Sequence, residues 1–227
     1  MIRPISVAVD GPGGAGKSSV CRAVAEKLGI LYLDTGAMYR ATALYMTRRG
    51  ISVADAEKVV PAMEEMALCV RYTEKGQRLF LADEDVTEAL HTPEMDGASS
   101  AVSRIAEVRA KLVALQRQIA EGNSVIMDGR DIASVVLPNA TLKIYLTADV
   151  KERAQRRKAQ LLREKNRDVP LEEVLRDLVA RDDADSTRAA SPLEKAKDAV
   201  LFDTTGLSLE QVVEKVLAMI RERGAGL

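Results

Sequence analysis

The chain has 227 residues, room for one domain that carries a large insertion or a small second lobe. With 47% hydrophobic and 30% charged residues it is an ordinary folded protein, and a disordered chain is excluded. The formal net charge of -1 gives no whole-molecule field that would draw in nucleic acid or an acidic membrane.

In chain order, residues 5–10 read as a buried strand, too short for a signal peptide's apolar core and running straight into glycines. A helix follows from Lys17 to about Leu28 and stops at Gly29. Residues 30–34 look like a second buried strand, with a helix after it from about Gly36 to Arg49. The alternation then breaks. Residues 68–72 and 78–81 flank Glu74, Lys75, Gly76 and Gln77, the pattern of a hairpin with a Gly-containing turn. Two strands without crossover helices suggest a small lobe inserted into the main fold, placed at residues 62–100. Residues 104–121 read as one long helix, and 124–128, 141–146 and 199–203 as three more strands. Short β-branched runs alternating with helical patterns predict an α/β fold with a parallel sheet. Ser208 and Gln211 form a capping box for a last helix, whose apolar face is Val212, Val213, Val216, Leu217 and Ile220.

Gly11, Pro12, Gly13, Gly14, Ala15, Gly16, Lys17 and Ser18 match G-x-x-x-x-G-K-[ST] in full. Glycines let such a loop curl its N–H groups onto phosphate oxygens, and the helix behind it offers its positive end. Lys17 is expected on the β- and γ-phosphates and Ser18 on Mg²⁺, with Ser19 completing the ATP-binding segment. A chance match is a poor rival, because the loop follows an apolar strand and opens a helix. By itself the loop does not choose a kinase over a switch.

No N-K-x-D guanine motif is present, and Asp203 to Gly206, spaced like D-x-x-G, reads as a strand end and turn. That leaves the small kinases. Residues 151–168 carry eight positive and three negative side chains, so the segment is +5 in a chain of -1. Alone it would be a solvated helix; in a kinase it is a lid whose arginines neutralise the transferred phosphoryl group and exclude water. Cys21 and Cys69 form no disulfide framework or metal pattern and suit a reducing compartment. His91 is the one histidine. No run approaches the roughly 20 apolar residues of a membrane span, and the cytoplasm is the expected location.

The loop, Asp34-Thr-Gly-Ala-Met-Tyr-Arg40, Asp128-Gly-Arg-Asp131 and Arg181-Asp-Asp-Ala-Asp-Ser-Thr-Arg188 stand in an order that resembles the bacterial cytidylate kinases. The likeness spans nearly the whole chain. It implies a five-stranded parallel core with a nucleoside monophosphate lobe and a helical lid. It also implies phosphoryl transfer from ATP to CMP or dCMP by a monomer; the near-neutral charge, the lack of aromatics in the basic segment and the lack of a long apolar run argue against nucleic-acid and membrane partners.

Carried over residue by residue, the resemblance implies that Arg40 and Arg130 clamp the acceptor phosphate, where a guanidinium fork suits paired oxygens. Asp131, Arg109 and Arg188 would read the cytosine edge, with Thr35 adding a hydroxyl where related enzymes often have serine. Arg181, Asp185 and Ser100 would hold the sugar, although Arg181 and Asp185 are also placed to pair on one helix face. Asp34 would steer Mg²⁺ or its waters. Arg153 and Arg157, four apart, are the two lid arginines, and either can bridge donor and acceptor. Asp10 is open between a structural turn and a role near the metal. The rival acceptors are UMP, AMP and a non-nucleotide such as shikimate; a slow nucleotide-binding switch is the rival from another class.

Overall fold

Val7, Ala8 and Val9 are at most 1% exposed, the continuous apolar run that a strand covered on both faces requires. In the computed structural model, which describes residues 4–74, 76–188 and 190–223, they lie in β1 (Ser6–Asp10). The elements that follow are α1 (Lys17–Leu28), β2 (Leu31–Asp34), α2 (Thr35–Arg48), α3 (Ala56–Glu65), β3 (Leu68–Thr73), β4 (Gly76–Leu81) and β5 (Glu84–Asp85). After a 3₁₀ turn at Thr87–Leu90 come α4 (Pro93–Val102), α5 (Ala106–Ala120) and β6 (Val125–Gly129). A π-helical turn at Ile132–Val136 leads to β7 (Leu142–Thr147), α6 (Val150–Lys165), α7 (Leu171–Thr187), β8 (Val200–Asp203) and α8 (Leu209–Glu222).

The five expected strands form one parallel sheet in the order β2-β6-β1-β7-β8. β1 is central and pairs with β6 and β7, placing Asp10 opposite Gly129 and Tyr145 at the carboxyl end, where open α/β sheets bind their ligands. A separate antiparallel sheet has the order β3-β4-β5. The chain divides into two compact units, Met1–Ile30 with Gly122–Leu227, and Leu31–Glu121.

In the first unit, α1 buries Val20, Cys21, Val24 and Ala25 and ends where Gly29 takes the left-handed conformation, its N–H donating to the carbonyls of Ala25 and Glu26. α8 has the expected capping box and buries all five expected apolar residues. α6 and α7 share an apolar cluster of their own, formed by Ala154, Leu161, Val169, Val174 and Leu178. Asp203 ends β8, and its carboxylate accepts from the backbone and hydroxyl of Thr205, making the turn that the sequence suggests.

In the second unit the hairpin pairs Leu68 with Leu81 and Thr73 with Gly76; Lys75, part of its expected turn, lies outside the described residues. The two-residue strand β5 is too short to leave a period in the sequence. α3 went unread: it has Pro61 inside it, which a sequence pattern takes as a break. The long helix expected over 104–121 starts at Ala106, and a distinct α4, capped by Thr92 with Pro93 in its first turn, precedes it. Cys21 is buried and Cys69 exposed, and neither is in a disulfide. Among the described residues no helix is long and apolar enough to cross a membrane.

Candidate active site

The loop after β1 is held in one shape by backbone demands. Gly11 has φ +148, and a Cβ there would stand 2.0 Å from the Leu146 carbonyl oxygen. Gly14 has φ +72, with the Arg153 backbone 2.9 Å from where a Cβ would be. No other residue type fits either place. α1 then starts at Lys17 with no side-chain cap and no acidic residue in its first turn, so its N-terminal N–H groups and positive end are left for an anion. Lys17 is buried and its Nζ donates to the carbonyls of Gly11 and Pro12, both at 2.8 Å. Burial and the neighbouring Arg130 charge push its amine down from 10.5 to about 7.

Ser18 is half-buried and its Oγ donates to Asp128 Oδ2 at 2.9 Å. Asp128 is the last residue but one of β6 and is itself buried. Asp10 has a structural task, since its two carboxylate oxygens accept from the backbone N–H of Ile132 and Ala133, each at 2.8 Å. It pins the π-helical turn beyond Asp131. Burial raises its pKa to about 6 against the pull of those two N–H groups.

Residues from β6 and α7 meet in the same unit. Arg130 Nε donates to Asp185 Oδ2 at 2.7 Å, and both side chains are largely buried. Burial pushes the Asp185 carboxyl up, but Arg130, with Arg181 and Arg188 beyond it, holds it below the usual carboxylate value. The strongest partner of Asp185 is therefore Arg130, 55 residues away, and the local pair with Arg181 is secondary. Asp131 and Arg188 are both deeply buried and lie 3.9 Å apart, with Arg188 Nε also donating to the Ser191 carbonyl.

The second unit holds Thr35, Arg40, Ser100 and Arg109. Asp34 caps α2 by accepting from the Ala37 N–H at 2.9 Å, and its other oxygen accepts from Arg40 Nη2 at 2.9 Å. Burial raises the Asp34 carboxyl, but Arg40 and the Ala37 N–H outweigh it and leave the pKa lowered. Arg40 also faces Asp96 at 4.0 Å. Gln77, on β4, donates to the Asp34 carbonyl and accepts from its N–H, fastening the hairpin to the start of α2. Thr35 is buried at the first position of α2, Ser100 is half-buried on α4, and Arg109 is buried on α5 with its guanidinium 5.9 Å from the Tyr39 ring centre.

The two arginines expected on a lid differ. Arg153 is buried and donates to the carbonyls of Ala148 and Gly13 and to Asp182 at 2.6 Å. Arg157 is half-buried and donates to Gln160, one turn along the same helix.

Three residues with a place here had no role in the sequence reading: Asp128, Asp182 and Gln77. Asp128 stood inside a quoted motif, and its position at the end of a buried strand after the glycine loop is a signal for a metal-side carboxylate. Asp182 also stood inside a quoted motif, but as one of three aspartates in Arg181 to Arg188 it had the weaker signal. Gln77 had none, because its partner is a backbone 43 residues away.

The sequence profile of the cytidylate kinases matches residues 7–222. A cytidylate kinase of Carboxydothermus hydrogenoformans is 46% identical over 214 residues, 94% of this chain and 96% of that protein. One from Caldanaerobacter subterraneus subsp. tengcongensis is 46% identical over 222 residues, 98% of this chain and 97% of that protein. Among solved structures, an uncharacterized protein from Eubacterium ventriosum has the same fold, with a TM-score of 0.55 at 11% identity over 97% of this chain and 99% of that one. With a family profile that runs from β1 to α8 and relatives 46% identical over nearly its whole length, the chain belongs to the cytidylate kinase family.

Proposed function

We propose that the protein transfers the γ-phosphoryl group of ATP to CMP or dCMP, giving ADP and CDP or dCDP. Family membership carries this reading. The buried Asp131–Arg188 pair supports it, since a carboxylate accepts from the cytosine N4 amino group while a guanidinium donates to the ring acceptors beside it.

The donor's phosphates take the N–H groups that open α1, and Lys17 exchanges its two loop carbonyls for phosphate oxygens. Ser18 and Asp128, hard oxygen donors 2.9 Å apart, fit Mg²⁺, which binds through few protein oxygens plus phosphates. When bound, the ion neutralises charge on the β- and γ-phosphate oxygens. Asp34 is less suited to that role, because each of its oxygens is engaged within its own unit. Arg40 and Arg130 bind the acceptor's phosphate. Arg181, Asp185 and Ser100 hold its sugar, and Thr35 and Arg109 join Asp131 and Arg188 at its base. Residues 62–100 form the monophosphate-binding lobe and 151–168 the lid, with Arg157 presented to the transferred group.

No general base is required. The attacking oxygen belongs to a phosphate monoester, whose second pKa of about 6 leaves it deprotonated at neutral pH. The side chains align it and neutralise charge in the transition state.

An ADP-release assay with CMP, dCMP, UMP, AMP, dTMP and shikimate tests the proposal. CMP and dCMP are expected to be the best acceptors, and a stronger response to any of the others overturns the cytosine assignment. Asp131→Ala is expected to raise the KM for CMP by about tenfold or more while leaving the KM for ATP near its starting value.

A further inference from the structure

One carboxylate beside the loop has no part in the chemistry above. Asp182, on α7, accepts from the Gly13 N–H through Oδ1 at 3.1 Å and from Arg153 Nη1 through Oδ2 at 2.6 Å. Arg153 closes the ring by donating from the same nitrogen to the Gly13 carbonyl at 2.9 Å. One ion pair therefore takes both backbone polar groups of a residue inside the phosphate loop. The pair is well shielded, with the Arg153 side chain 9% and the Asp182 side chain 18% exposed. Gly13 has an unremarkable φ, yet a Cβ there would lie 3.1 Å from Leu178 Cδ2 and 3.8 Å from Asp182 Oδ1. A larger side chain there would crowd Leu178 of α7, which would have to give by a few tenths of an ångström.

A salt bridge that merely tied α6 to α7 would have no need of the loop backbone. Here the carboxylate holds the Gly13 N–H, fixing the peptide from outside the loop, and Arg153 balances its negative charge. We propose that Asp182 is a positioning residue of the donor site, which orients the Gly13 peptide through its N–H and through Arg153 so that the loop meets the triphosphate in one geometry. This rests on the assignment of the loop as the ATP site.

The test is calorimetric titration with ATP and Mg²⁺, without acceptor, together with steady-state kinetics and thermal unfolding. Asp182→Ala is expected to weaken ATP binding about tenfold, equivalent to about 1.4 kcal/mol, with the KM for CMP within about twofold of the wild type. Asp182→Asn keeps an acceptor for the Gly13 N–H but loses the charge that faces Arg153. A loss of about threefold, between the other two proteins, is expected for it. Should the alanine variant not fold, the asparagine variant alone decides. ATP affinity unchanged in the folded variants, even with a lower melting temperature, would reduce Asp182 to a structural tie and overturn the inference. So would an equal rise in the KM for both substrates. A wild-type protein that bound no ATP would remove the donor-site assignment itself, and the inference with it.

Discussion

Ser18 Oγ and Asp128 Oδ2 are joined by a hydrogen bond of 2.9 Å across 110 residues of sequence. It ties the first turn of the helix behind the loop to the end of the neighbouring strand β6. Two hard oxygens are thereby set side by side next to the donor's expected phosphates.

Asp128→Asn is accordingly predicted to lower kcat about 10–100-fold at low Mg²⁺ and to recover in part as Mg²⁺ is raised. A magnesium titration of the initial rate measures this. A rate loss that did not change with Mg²⁺ would place Asp128 outside the metal's surroundings.

Lys17 leads to a proton-linked prediction. Burial and Arg130 hold its amine down to about 7, so at pH 8 it is mostly neutral. A triphosphate beside it favours the charged form and raises the pKa. Binding is thus expected to take up close to ~1 proton at pH 8 and far less at pH 6. ATP-binding enthalpies compared across buffers of different ionisation enthalpy report that number, and no uptake at pH 8 would contradict it.

The two arginines on α6 should separate by what they lose. Arg153→Ala leaves the half-buried Asp182 without its ion pair and is predicted to cost about 2 kcal/mol of stability. Arg157→Ala is predicted to unfold as the wild type does while kcat falls at least about a hundredfold, the loss of a charge that stabilises the transition state. Urea unfolding and single-turnover rates on both variants check the division.

Gln77→Ala removes both bonds that fasten the hairpin to Asp34. Arg40 takes its orientation from Asp34, so the KM for CMP is expected to rise several-fold, by about 1–2 kcal/mol of lost positioning. The KM for ATP should hold. Equal changes in both would show that the hairpin does not serve the acceptor.

The sheet was legible because its central strands are covered on both faces: residues 7–9 and 125–127 read as unbroken apolar runs, and glycines or capping residues mark the ends of α1 and α8. The loop was legible because backbone sterics leave few residue choices at Gly11 and Gly14. Elements with weaker local signals were missed, as with α3 around Pro61, the two residues of β5 and the π-helical turn that Asp10 pins. In the candidate site the residue types were readable but their partners were not. Asp185 lies four residues from Arg181 yet bonds Arg130, because distant strands and helices converge there and helical spacing says nothing of it. Arg153 and Arg157 look alike in sequence; burial separates them.

The apolar cluster between α6 and α7 has a thermodynamic consequence for the proposed lid. Ala154 and Leu161 on one helix, and Val174 and Leu178 on the other, bury one another without help from the sheet. The two helices should therefore shift together as a rigid pair, and their amides should exchange with solvent in a single cooperative step. Uncovering the phosphate loop then means giving up the bonds to Gly13 and those from Arg156 to Thr204, with no helix melting.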